Sequence, residues 1–151
     1  NMDWVRDHLF YQTIGPDKIN QLRHVRFFGN LAGIHRHMEK HAPIMRARFD
    51  AVQEVLAREL ADKGIADWTR PAGGYFVSFD TPDGCARTVV GMAAEAGVKL
   101  TPAGATYPLR KDPRDRNVRI APTFAAVEDV RTAVEVLAIC TQIAAIDQMR
   151  P

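Results

Sequence analysis

Apolar residues recur along this chain in two rhythms, and each rhythm predicts a different kind of element. Between residues 31 and 61, Met45, Phe49, Val52, Leu56 and Leu60 step by four, three, four and four, which puts them on one stripe of a helix. Glu54 with Arg58 and Glu59 with Lys63 stand four apart on that helix in the favourable order, each pair adding about 0.2–0.5 kcal/mol. Gly64 stops it. Inside the stretch, Pro43 cannot donate to the carbonyl of Glu39 and its ring crowds that turn, so the helix is expected to kink or start afresh there, as a bend between two bodies. From residue 75 the period falls to two. Tyr75, Val77 and Phe79 alternate with Phe76, Ser78 and Asp80, the pattern of a strand.

The remaining segments follow the same two rhythms. Trp4, His8 and Tyr11 share one helical stripe, and Gly15-Pro16 then punctuates the chain. Pro16 suits a first helical position, with Ile19, Leu22 and Val25 or Arg26 recurring after it. After the strand at 75–80, Asp83 is placed to cap a helix through Val89, Val90 and Ala93 that ends at Gly97. A short strand is expected at 98–101, a constrained loop at 102–108, and a solvated loop of mixed charge at 109–116. A strand follows at 117–122. The last helix begins near Val127, with Glu128 and Asp129 in its first turn and a stripe of Val127, Val130, Val134, Leu137, Thr141 and Ala144. Counting a weak strand at 67–70, the expected fold is α+β: a small antiparallel or mixed sheet with helices on one face. A long kinked helix and an N-terminal helical segment precede it.

Composition narrows the function classes. An apolar fraction of 46% with 25% charged residues is ordinary for a folded globular chain, and a net charge of +2 is too small to argue for nucleic acid. Cys85 and Cys140 stand far apart, which predicts reduced thiols in a cytoplasmic protein. No apolar run is long enough for a spanning helix, and the N-terminus lacks the pattern of a signal peptide, so no membrane partner is expected. His37 and His41 share a helix face, but Glu39 projects to the opposite side, and Met38 stands where the His-Glu-x-x-His zinc pattern needs its Glu. No metal site is expected. Five of the twelve aromatics lie in the first 28 residues: Trp4, Phe10, Tyr11, Phe27 and Phe28. This predicts either a helical cap on the same core or a face that docks elsewhere.

The chemistry centres on Asn117-Val118-Arg119-Ile120-Ala121-Pro122. In an extended segment Val118 and Ile120 point one way and Arg119 the other. Arginine is always charged, and its planar fork matches a carboxylate with two parallel hydrogen bonds, so Arg119 is a candidate carboxylate anchor. The alternative is a salt bridge to the chain's own Asp or Glu, or a solvated edge. Gly73 and Gly74 at the start of the 75–80 strand mark either a bulge or a place where something approaches the backbone closely.

Four ordered motifs carry a resemblance: Ile14-Gly15-Pro16-Asp17-Lys18-Ile19-Asn20-Gln21-Leu22-Arg23-His24, Pro71-Ala72-Gly73-Gly74-Tyr75-Phe76, Leu100-Thr101-Pro102-Ala103-Gly104, and the 117–122 segment. By these the chain resembles the C-terminal part of the class I/II, fold type I aminotransferases that use pyridoxal 5'-phosphate (PLP), in the aspartate-aminotransferase-like, MocR-type branch. The resemblance implies that residues 1–30 belong to the end of a large domain, 31–64 to a kinked linking helix and 65–151 to a C-terminal small domain. It implies amino transfer between an amino acid, with aspartate and glutamate as candidates, and a 2-oxo acid. Arg119 would then clamp the substrate α-carboxylate, and Gly73 and Gly74 would let the backbone close over it. A second substrate carboxylate would need another cation, with Arg110, Lys111, Arg114 and Arg116 as candidates by charge. The Schiff-base lysine of the family sits in a Ser-x-x-Lys setting, and none of Lys18, Lys40, Lys63, Lys99 and Lys111 does. The expectation is a C-terminal fragment with no catalytic or cofactor-binding residue of its own, inactive alone, from a cytoplasmic homodimer. Two other readings stay open: the ligand-sensing domain of a MocR-type transcriptional regulator, and a stand-alone α+β interaction module that buries its N-terminal aromatics internally.

Overall fold

The computed structural model describes residues 1–150. Contacts divide the chain into two compact units, Asn1–Pro43 and Ile44–Pro151. In the first lie helices α1 (Met2–Thr13) and α2 (Lys18–Phe28), and a third, α3 (Leu31–Leu60), begins. Helix α1 closes at Ile14, in the left-handed region at φ 56°, whose N–H bonds the carbonyl of Phe10. Asp17 caps α2 by accepting the N–H of Asn20 at 2.9 Å. Pro16 therefore stands one residue outside the cap and not at the first helical position, because a carboxylate can satisfy an orphan N–H and a proline cannot. Gly33 cannot carry a side chain: a Cβ there would lie 1.8 Å from the carbonyl oxygen of Phe28.

Neither α1 nor α2 contains a buried residue. Trp4, Phe10, Tyr11 and Phe27 are exposed, so the internal burial that a stand-alone module requires of them is absent.

Helix α3 runs through Pro43 without a fresh start. The proline costs about 3 kcal/mol. Its C-terminal half buries Ala51, Val52, Val55, Leu56 and Leu60, and each large apolar side chain contributes about 1.5–3 kcal/mol, so the helix survives the missing rung. The i,i+4 pairs expected along α3 do not form. Glu54 instead meets Arg131 at 2.7 Å and Arg58 meets Glu135 at 2.7 Å, both partners lying on the last helix. Lys63 donates to the main-chain carbonyl of Glu59.

The sheet has three strands in the order β1 (Asp67–Trp68), β2 (Val77–Asp80), β3 (Asn117–Ile120), all antiparallel. Trp68 pairs with Phe79, Val77 with Ile120 and Phe79 with Val118, giving an apolar face that joins one core with α3, α4 (Ala86–Glu95) and α5 (Val127–Gln148). The buried Thr141 hydroxyl on α5 is satisfied by the Leu137 carbonyl at 2.8 Å. Asp67, Ser78, Asp80, Asn117 and Arg119 form the opposite, polar face.

Two further expectations are corrected. Residues 98–101 form no strand: Gly97 turns left-handed at φ 88°, and Val98 donates to Ala93 at 2.8 Å, so this segment closes α4 instead of entering a ladder. Asp83 does not cap α4, which starts after Cys85 without a side-chain cap. The Asp83 carboxylate is drawn to Arg116 at 3.5 Å.

Candidate functional site

The site grows from the alternation of β3. Val118 and Ile120 are buried in the core, which forces Asn117 and Arg119 onto the open face of the sheet. Ser78 lies directly opposite Arg119, and Asp80 opposite Asn117. Asn117 organises this face. Its amide nitrogen donates to the Ser78 hydroxyl at 2.8 Å and to Asp80 at 2.6 Å, and its amide oxygen accepts from Thr106 at 2.7 Å.

The loop before β3 is more ordered than a solvated charged loop. Asp112 is buried and its carboxylate accepts the backbone N–H groups of Arg114, Arg116 and Asn117 at 2.8–3.0 Å. Burial pushes its pKa up, but these three donors and the charge of Arg114 outweigh it, and the group is held below the ordinary aspartate value. Gly104 permits the fold of this loop at φ 81°, with a Cβ position only 2.5 Å from the Arg110 carbonyl oxygen.

Arg119 is half-buried. Among the described residues it forms no ion pair with any Asp or Glu, and its Nε is buried without a hydrogen-bond partner. Its one close restraint is aromatic: the guanidinium carbon lies 4.4 Å from the ring centroid of Phe76. Internal ion pairing, the plainer explanation for this residue, is thus absent. Arg116 differs in being ion-paired. It bonds Asp80 at 2.9 Å and Asp83 at 3.5 Å, although its Nε, like that of Arg119, is buried without a hydrogen-bond partner.

Gly73 and Gly74 lie in the loop between β1 and β2, outside the ladder. Gly74 needs its freedom for a φ of 97°, and a Cβ at either position would meet no atom of this chain within 4 Å. A recess of about 340 Å³ lies at the other end of the polar face, lined by Asp67, Asp80, Asp83, Arg116 and Gln148 among others. Arg119 is not part of it. All five lysines are exposed, so none is desolvated in the way that readies an amine for an imine. Among the described residues no group of three or more His, Cys, Asp or Glu side chains is arranged to hold a metal. His37 and His41 pack ring to ring at 4.5 Å, with Phe27 and Phe28 edge-on to His37.

Phe76 is the residue that sequence reasoning missed as part of the site. Its signal was present, since strand alternation sets Phe76 on the same side as Ser78, the residue opposite Arg119. The buried capping role of Asp112 left no comparable mark among its charged neighbours.

The chain belongs to the aspartate amino-transferase family, whose sequence profile matches residues 1–150. It is 45% identical to an aspartate aminotransferase of Corynebacterium glutamicum over 145 residues, covering 96% of this chain and 34% of that protein. It is 46% identical over 149 residues to a Mycolicibacterium smegmatis protein with a provisional aminotransferase name, covering 99% of this chain and 35% of the relative. Among solved structures, an aspartate transaminase from Corynebacterium glutamicum superposes with a TM-score of 0.88 at 44% identity, over 98% of this chain and 35% of that one. The chain thus spans about a third of the length of these relatives.

Proposed function

We propose that this chain is the C-terminal part of a PLP-dependent aminotransferase that moves an amino group between an amino acid and a 2-oxo acid, with aspartate and glutamate as candidate substrates. In this reading Arg119 anchors the substrate α-carboxylate, and Gly73 and Gly74 let the backbone approach the bound substrate. Residues 1–30 close a large domain, 31–64 link it to the small domain, and 65–151 form that small domain. The intact enzyme is a cytoplasmic homodimer. Kinship with an aspartate aminotransferase at 45% identity supports the reaction class.

The observation that carries the residue assignment is the unspent guanidinium of Arg119, partly buried on a strand and with no acid of its own. An arginine in that state costs desolvation without a return inside the chain, and a ligand carboxylate supplies the return. The open space beside Gly73 and Gly74 supports their assignment. The chain's own residues do not fit PLP: every lysine is exposed and none stands in a Ser-x-x-Lys setting. The cofactor is therefore assigned to other parts of the intact enzyme, and the isolated chain is inactive. What this chain contributes is carboxylate orientation by Arg119.

The test is Arg119→Ala in the intact enzyme. Charge-assisted hydrogen bonds of about 1.5–3 kcal/mol correspond to a rise of about ten- to one-hundred-fold in KM for the amino acid, with PLP absorbance retained. Unchanged KM, or loss of PLP in place of weakened substrate binding, overturns the assignment.

A further inference from the structure

We infer that Phe76 is the positioning residue that keeps Arg119 oriented and uncommitted for the incoming carboxylate. The inference rests on the reading that Arg119 binds that carboxylate, and goes beyond it by naming what holds the arginine. An arginine side chain has many rotamers, and fixing one geometry ordinarily takes a hydrogen bond or an ion pair. Among the described residues Arg119 has no ion pair, and its Nε has no hydrogen-bond partner. What it has is the Phe76 ring against its guanidinium, 4.4 Å from carbon to centroid.

The distinction matters because of which part of the cation is used. A ring engages the flat face of a guanidinium, while a carboxylate engages the N–H groups along its edge. A carboxylate can then bind without displacing anything, whereas an internal salt bridge would have to break first. Of the two acids on this face Asp80 is the nearer in register, two residues along β2 from the Ser78 that faces Arg119, while Asp67 lies one strand beyond it. Asp80 is already held: Arg116 bonds one oxygen at 2.9 Å and Asn117 the other at 2.6 Å. Arg116 and Asn117 thus remove the decoy, and Phe76 supplies the orientation.

Phe76 is well placed to be tested. The residue is 48% exposed and precedes the first ladder residue, Val77, so truncating it leaves no core cavity. In the intact enzyme, Phe76→Leu is expected to raise KM for the amino acid about three- to thirtyfold, the range of a cation–π contact, with kcat within about twofold. Phe76→Tyr, which keeps the ring face, is expected to stay within about twofold of the parent. Phe76→Met repeats the truncation with an unbranched side chain and guards against a folding defect peculiar to Leu. The deciding comparison is Phe76→Leu in an Arg119→Ala background, where the second change is expected to alter KM less than about twofold. Should the ring removal raise KM equally in both backgrounds, Phe76 acts without Arg119 and the inference falls. If Arg119→Ala raises KM while Phe76→Leu and Phe76→Met do not, the inference fails and the carboxylate reading stands. Unchanged KM in Arg119→Ala removes both.

Discussion

Residues 1–43 and 44–151 are both supplied with apolar side chains, yet only the second unit turns them into a core. In 44–151 the stripes of α3, α4 and α5 and one face of β2 and β3 converge, and Val52, Leu56, Val77, Phe79, Val89, Val118 and Leu137 all lose their water. Helices α1 and α2 bury nothing, and Trp4, Phe10, Tyr11, Ile14, Ile19 and Phe27 face outward. The difference teaches that a periodic stripe reports an intention to pack, while burial needs several stripes to meet.

The sharpest way to separate the two regions is by truncation. Phe79→Ala removes a fully buried ring and is expected to cost about 3–5 kcal/mol, read as a lower denaturant midpoint for the chain. Asp112→Ala comes next. It strands three backbone N–H groups and is expected to cost about 2–3 kcal/mol near neutral pH. Because the folded carboxyl is held below its ordinary value, its stabilisation is full above the unfolded pKa of about 3.9. It disappears as pH falls through the lower folded value. The gap between parent and Asp112→Ala should accordingly close in acid, and a gap constant down to pH about 2 would contradict the capping role. Smallest of all, Trp4→Ala and Tyr11→Ala are expected to change the stability of this chain by less than about 0.5 kcal/mol. A cost above about 1 kcal/mol at either position would erase the contrast with the core.

Much of the lobe was legible in the residue pattern because the pattern encodes local alternation well. Val118 and Ile120 inward with Arg119 outward followed from strand geometry, and helical spacing gave the buried Val52, Leu56 and Leu60 of α3 and most of the α5 stripe. What was not legible were choices between near-equal local partners. Asp83 suits a helix cap, but the carboxylate is claimed by Arg116 across the fold. Glu54 suits Arg58 one turn on, but Arg131 on α5 wins it. The 98–101 segment has strand-like residues, yet the Gly97 turn commits Val98 to closing α4. At the site, the position of Arg119 could be read in advance, but its lack of a partner could not, since that depends on Asp80 being claimed by Arg116 and Asn117 from elsewhere.

The alternation of β3 also acts as proofreading. A slip of one residue in the pairing of β3 would carry the Arg119 guanidinium into the core and bring Val118 and Ile120 into water. A one-residue slip therefore cannot hide the Arg119 guanidinium without also exposing the interior. Chains that pair this sheet in register present the arginine on its open face by the same alternation that builds the core.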